Sequence, residues 1–161
     1  MPTNTTDFYL GNPNLKKVGA EIQFTKEQIS EYLKCKEDPV YFAMNYIKII
    51  SLDEGIVPFK MWDFQQELIE KFHKHRFNIA KLPRQTGKST TCVSYLLHYV
   101  LFNDNVNVGI LANKLSTARD LLGRLQLAYE QLPMWMQQGI ITYNKGSMEL
   151  ENGSKILAAS T

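Results

Sequence analysis

The spacing of hydrophobic positions changes near residue 77. Before it, they recur three to four residues apart, the period of an amphipathic helix. Thr25 with Gln28 fits a capping box and opens a predicted helix running to about Lys36. Asp38-Pro39 sets an N-cap residue before a proline at the first helical position. Val40, Phe42, Ala43, Tyr46, Ile47 and Ile50 then recur at helical spacing, and a connector holding Gly55 and Pro58 ends that unit. Trp62 to Arg76 predicts a further helix, with Phe64, Leu68, Ile69 and Phe72 along one side. Residues 1–24 are polar and punctuated by Gly, Asn and Pro, which reads as an extended or mobile arm.

After residue 77, short apolar runs alternate with helical stretches. FNIAKL (77–82) predicts a strand, followed by a loop at 83–87 and a helix from Lys88 to about Phe102. VNVGILA (106–112) predicts a second, buried strand, followed by a helix from about Lys114 to Leu132. SMELENGSKILAA predicts two strands around Asn152-Gly153, a favoured pair for a tight hairpin turn. The order strand, loop, helix, strand, helix predicts a parallel α/β sheet, with more parallel strands expected after Thr161.

Composition narrows this picture only a little. The 161 residues, 44% apolar and 21% charged, suit one globular domain with a real core. No stretch approaches the ~20 apolar residues of a membrane span, so no membrane partner is expected. The N-terminus lacks the basic and apolar regions of a signal peptide. Cys35 and Cys92 stand far apart without metal-ligand spacing, which suggests neither a disulfide framework nor zinc and makes a reducing cytoplasm the default. A net charge of +2 is too small to argue for a polyanion partner.

The informative stretch is KLPRQTGKST, Lys81 to Thr90. Its end matches the close of a phosphate-binding loop, G-x-x-x-x-G-K-[ST], except that Leu82 stands where the first glycine belongs. A Gly-Lys-Ser tripeptide alone is weak, but here it falls between a predicted strand and a predicted helix, as the mechanism requires. Amides of 84–88 would wrap an anion at the positive end of the helix dipole. Gly87 would allow close backbone approach, Lys88 would reach the β- and γ-phosphates, and Ser89 would ligate Mg²⁺ through its hydroxyl. Arg84 would add a permanent charge near the γ-phosphate; the bland alternative makes Arg84 and Lys88 solvated surface charges. Upstream, Phe64 would stack on a nucleobase and Gln65 would pair with adenine N6 and N7. The bland alternative there packs Phe64 in the core and leaves Gln65 facing water.

Together, WDFQQELIEKF, LPRQTGKSTT, VNVGILANK and ITYNKGSMELENGSKILAAST resemble the large terminase subunit of tailed bacteriophages. DPVYFAMNYIKII and GIVPFKMWDFQ look like that family's lead-in, so the similarity covers about Tyr9 to Thr161. The family's Walker A loop often lacks the first glycine, and Arg84-Gln85-Thr86-Gly87-Lys88-Ser89 is similar to it residue for residue. The resemblance implies a P-loop NTPase with a RecA-like parallel sheet, incomplete here, over 61–161, and a helical N-terminal segment over 1–60. It implies ATP and Mg²⁺ as cofactors, with Arg84 and Lys88 catalytic. Phe64, Gln65, Arg84, Gln85, Thr86, Gly87, Lys88, Ser89 and Thr90 would bind the nucleotide. It also implies a motor oligomer acting on double-stranded viral DNA with a portal protein and a small terminase subunit, at the prohead in the host cytoplasm. Walker B and nuclease residues are expected beyond Thr161. Two alternatives stand beside it: a superfamily 2-like helicase or translocase, and a non-enzymatic module docking through residues 1–60.

Overall fold

The computed structural model describes residues 7–51 and 53–161. Among them it contains α1 (Lys26–Glu37), α2 (Pro39–Tyr46), β1 (Lys48–Ser51), β2 (Gly55–Pro58), α3 (Asp63–Lys74) and α4 (Lys88–Phe102). These are followed by β3 (Asn107–Ala112), α5 (Leu115–Glu130), β4 (Ile140–Tyr143), β5 (Ser147–Leu150) and β6 (Lys155–Ser160). The architecture is mixed α/β.

The helical entry follows its local signals. Thr25 Oγ1 accepts the Gln28 amide at 3.2 Å while Gln28 Oε1 accepts the Thr25 amide at 3.0 Å, closing the capping box. Asp38 Oδ1 accepts the amides of Val40 and Tyr41 at 2.8 and 3.0 Å, ahead of Pro39 in the first turn of α2. That helix stops at Tyr46, short of the apolar spacing that runs on to Ile50. Lys48–Ser51 and Gly55–Pro58 instead pair antiparallel, with Ile49 opposite Val57. Three isoleucines among residues 47–50 favour extended backbone, and Gly55 takes φ +75° at the start of β2.

The larger sheet has the order β3-β6-β5-β4. β3 and β6 run parallel from Asn107 opposite Lys155 to Ala112 opposite Ser160, whereas β6–β5 and β5–β4 are antiparallel. The sheet is therefore mixed. The two strands expected around Asn152-Gly153 form as read, and β4 adds a third member to that meander. α5 lies over β3 and β6, with Ala118, Leu122, Leu125 and Tyr129 buried, while α4 packs among α2, α3 and α5. Leu97 and Leu101 of α4 are buried in that layer, each contributing about 1.5–3 kcal/mol. Beside them His98, 2% exposed, sets Nε2 2.8 Å from the Cys35 carbonyl, while Nδ1 has no partner. Burial lowers its pKa to about 4.

Three expectations change. The run 77–82 forms no strand: Phe77 is 82% exposed and Ile79 101%. A strand needs a neighbour, and among the described residues β3 pairs only with β6, on one edge. For the same reason β3 is an edge strand, and Ile110 is its one buried residue.

The part of the N-terminal arm that is described, from Asp7 onward, is pinned down as a strap rather than left free. Leu15 is buried, the Lys16 carbonyl accepts the Ile140 amide at 2.9 Å, and Gln137 Oε1 accepts the Lys16 amide at 3.0 Å. Glu151, in the turn after β5, clamps this strap. It accepts the amides of Gly139 (2.8 Å) and Gly19 (3.1 Å) and pairs with Lys16. Burial works to raise its pKa, but those amides and the Lys16 ammonium outweigh it and hold the carboxyl below its ordinary value. Glu149 pairs with Lys155 at 2.9 Å. Among the described residues no helix is long and apolar enough to cross a membrane.

Candidate functional site

The loop between 82 and 88 is built from its own hydrogen bonds. Thr86 Oγ1 donates to the Pro83 carbonyl at 3.0 Å, and Lys88 Nζ donates to the carbonyls of Pro83 (3.1 Å) and Leu82 (3.3 Å). The loop thus folds back on its own lysine. Two residues take left-handed backbone, Gln85 at φ +62° and Gly87 at φ +71°. For Gln85 this is an uncommon conformation that the surrounding bonds must hold in place. Left-handed residues in such a turn let successive amides converge on one point, a concavity suited to an anion.

Gly87 is also the N-cap of α4 and offers no side-chain cap, so the amides of the first turn keep their donors. The first backbone bond of the helix runs from the Thr91 amide to the Gly87 carbonyl at 3.0 Å, and the Thr91 hydroxyl adds a second bond to that carbonyl at 3.1 Å. Ser89 and Thr90, in this first turn, are half-buried. Arg84 is exposed at the tip of the loop.

Gln65 and Phe64 reverse the bland alternative. Gln65 is 3% exposed, and Phe64, at 36%, faces outward. The Gln65 amide bridges two elements: Oε1 accepts the Trp62 amide at 3.0 Å and Nε2 donates to the Thr86 carbonyl at 3.1 Å. This fastens the start of α3 to the middle of the loop. It also explains Gly87 physically, since a Cβ there would lie 2.5 Å from Gln65 Nε2. Sequence reasoning missed Trp62, whose exposed ring sits 5.7 Å from that of Phe64 to form an outward aromatic pair. Its signal was available, as an aromatic two positions before Phe64.

Beside the loop lies a cavity of about 250 Å³, lined by Ala80, Lys88, Ser89, Cys92, Leu96 and Ile110 among others. It separates the exposed run 77–82 from β3. Burial raises the pKa of the Cys92 thiol, keeping it protonated. The structure thus brings Gln65, Thr86, Gly87 and Lys88 together, with Ser89 and Thr90 following in the helix, and leaves Arg84 outside their hydrogen bonds. No protein-family model matches the chain.

Proposed function

We propose that the chain is the ATP-binding segment of a DNA-packaging motor ATPase of the large-terminase type, with a P-loop NTPase, RecA-like fold. One observation carries this reading. Gln85 and Gly87 both take left-handed backbone where the loop enters α4, whose start has no side-chain cap, beside Lys88. The anchoring of that loop by a buried Gln65 supports it.

The residues suit ATP. Lys88 would exchange its two carbonyl contacts for phosphate oxygens, and the first-turn amides of α4 would donate to the same group. After its two bonds, Gln65 retains one N–H and one lone pair, the pair adenine N7 and N6 require. Trp62 and Phe64 offer a face for the base. Ser89 would supply one hydroxyl to Mg²⁺, the remaining ligands being phosphate oxygens and water. Bound ATP·Mg²⁺ supplies the phosphoryl chemistry; Arg84, free at the loop tip, would stabilise charge developing on the γ-phosphate.

The same reading accounts for the run 77–82. Before a phosphate loop a strand is expected inside a parallel sheet, and β3 has an unpaired edge toward the intervening cavity. A further strand there, bearing a Walker B acid, would complete both. Double-stranded DNA, a portal protein and a small terminase subunit remain the proposed partners, at the prohead in the host cytoplasm. The aromatic-Gln arrangement fits a superfamily 2-like helicase equally, and the sequence around a Walker B strand separates the two. The described strap of the N-terminus is spent on its own hairpin, which argues against a free docking arm.

Calorimetric titration with ATP·Mg²⁺ tests the reading. We expect measurable binding that Lys88→Ala weakens at least tenfold. Equal affinity in parent and variant, or no binding by the parent, overturns it.

A further inference from the structure

Where the ordinary phosphate-loop pattern begins with a glycine, this chain has Leu82, followed by Pro83. The substitution stiffens the entry to the loop. A proline ring fixes its own φ near −65° and restricts the residue before it to extended backbone. Glycine would leave that step free to swing. The carbonyls of residues 82 and 83 are therefore held in place by the very residues that break the pattern.

Both carbonyls accept from one ammonium. Lys88 Nζ donates to the Pro83 oxygen at 3.1 Å and to the Leu82 oxygen at 3.3 Å. The Pro83 carbonyl also accepts the Thr86 hydroxyl at 3.0 Å, so both of its lone pairs are used. Thr86 is in turn fastened through its own carbonyl to the buried amide of Gln65, at 3.1 Å. The ion pairs among the described residues engage Lys16, Lys34, Lys71, Lys74 and Lys155, and not Lys88. The charge of Lys88 thus meets neutral oxygens that the loop itself provides.

We propose that Leu82 and Pro83 are positioning residues, a carbonyl cradle that holds Lys88 back and competes with phosphate for it. The proposal rests on reading 82–90 as a phosphate loop, and it gives the departure at position 82 a role in regulating that site. A triphosphate engages Lys88 only in the fraction of molecules whose ammonium has left the cradle, and the apparent affinity is lowered by that fraction. The exchange favours a highly charged ligand. A phosphate oxygen offers Lys88 a full opposite charge, which a carbonyl dipole does not match. Loosening the cradle should therefore tighten triphosphate binding, and only through Lys88.

Two loosened variants, Pro83→Ala and Leu82→Gly, test this against the parent, each made also in a Lys88→Ala background. Pro83 is exposed, so replacing it removes little packing, and Leu82→Gly restores the ordinary pattern. Circular dichroism checks that each is folded. The first readout needs no nucleotide: limiting acetic anhydride, with mass spectrometry following acetylation lysine by lysine. Lys88 should label at least about threefold faster in both variants, the effect of loosening roughly one hydrogen bond, while the exposed Lys26 and Lys60 keep their rates. The second readout is calorimetric affinity for ATP·Mg²⁺. Both variants should bind about three- to tenfold more tightly than the parent, and the gain should vanish in the Lys88→Ala background. Unchanged Lys88 labelling in both variants overturns the proposal, and so does a gain in affinity that persists without Lys88. If Lys88→Ala weakens ATP binding but neither loosened variant tightens it, the cradle is overturned and the nucleotide reading stands. If the parent binds no ATP, the nucleotide reading is overturned, and the labelling rates decide by themselves whether Leu82 and Pro83 hold the lysine.

Discussion

The runs FNIAKL (77–82) and KILAAS (155–160) each contain four apolar residues in six, yet they meet opposite surroundings. The second is β6, paired on one side with β3 and on the other with β5, with Ile156 1% exposed. The first lies along the surface with Ile79 wholly open to water. Intrinsic preference is nearly the same in both, so the difference lies in what flanks them. A strand is a relation between segments, and only one of these two has its relations among the described residues. The loop 83–87 follows the unpaired one, and Lys88 and Gln65 carry much of its fixation.

The sharpest contrast comes from truncating one side chain in the paired run. Ile156→Ala should cost about 2–5 kcal/mol in a denaturant melt, because it empties a site enclosed on all sides. A loss below about 1 kcal/mol would mean β6 is no better held than 77–82. Acid should separate the two regions next. Unfolded His98 titrates near its ordinary value of 6.5 and folded His98 near 4. Above 6.5 both states are neutral and pH has no effect through this group. As pH falls from 6.5 toward 4, the unfolded chain takes the proton first, and stability declines by up to about 3 kcal/mol. Amide exchange in β6 should accelerate across that window while exchange in 77–82, already open, stays flat; His98→Leu should remove most of the slope. The smallest effect is expected at the exposed run itself. Ile79→Ser should move the melt by no more than about 0.5 kcal/mol, and a larger loss would reveal a partner for that side chain.

What was legible in the sequence was local. Thr25 with Gln28, Asp38 with Pro39, and Asn152-Gly153 each act within four residues, and each formed as read. The loop-to-helix boundary at Lys88 was legible for the same reason. The misses depended on distant segments. Helical spacing from Val40 to Ile50 could not reveal that Lys48–Ser51 finds a partner in Gly55–Pro58. Ile140–Tyr143 is short, and its pairing with β5 lay outside any local pattern, although its β-branched residues were a usable hint. On α3 the predicted side held Phe64, Leu68, Ile69 and Phe72. Ile69 is buried as read, but the other buried position is Gln65, because the loop offers its amide a hydrogen-bond partner. A polar residue with a place to bond can occupy a core face that periodicity assigns elsewhere.

The strap at the N-terminus has a consequence for biosynthesis. Its fastenings, the Lys16 amide on Gln137 and the Gly19 amide on Glu151, join residues 121 and 132 positions apart. A ribosome adding about 5–20 residues per second needs roughly 6–25 s to make the partners after the strap has emerged. Throughout that interval Leu15 has no pocket to enter. The strap is thus made well before its partners, and its apolar side chain is left for chaperones to shield until the hairpin arrives.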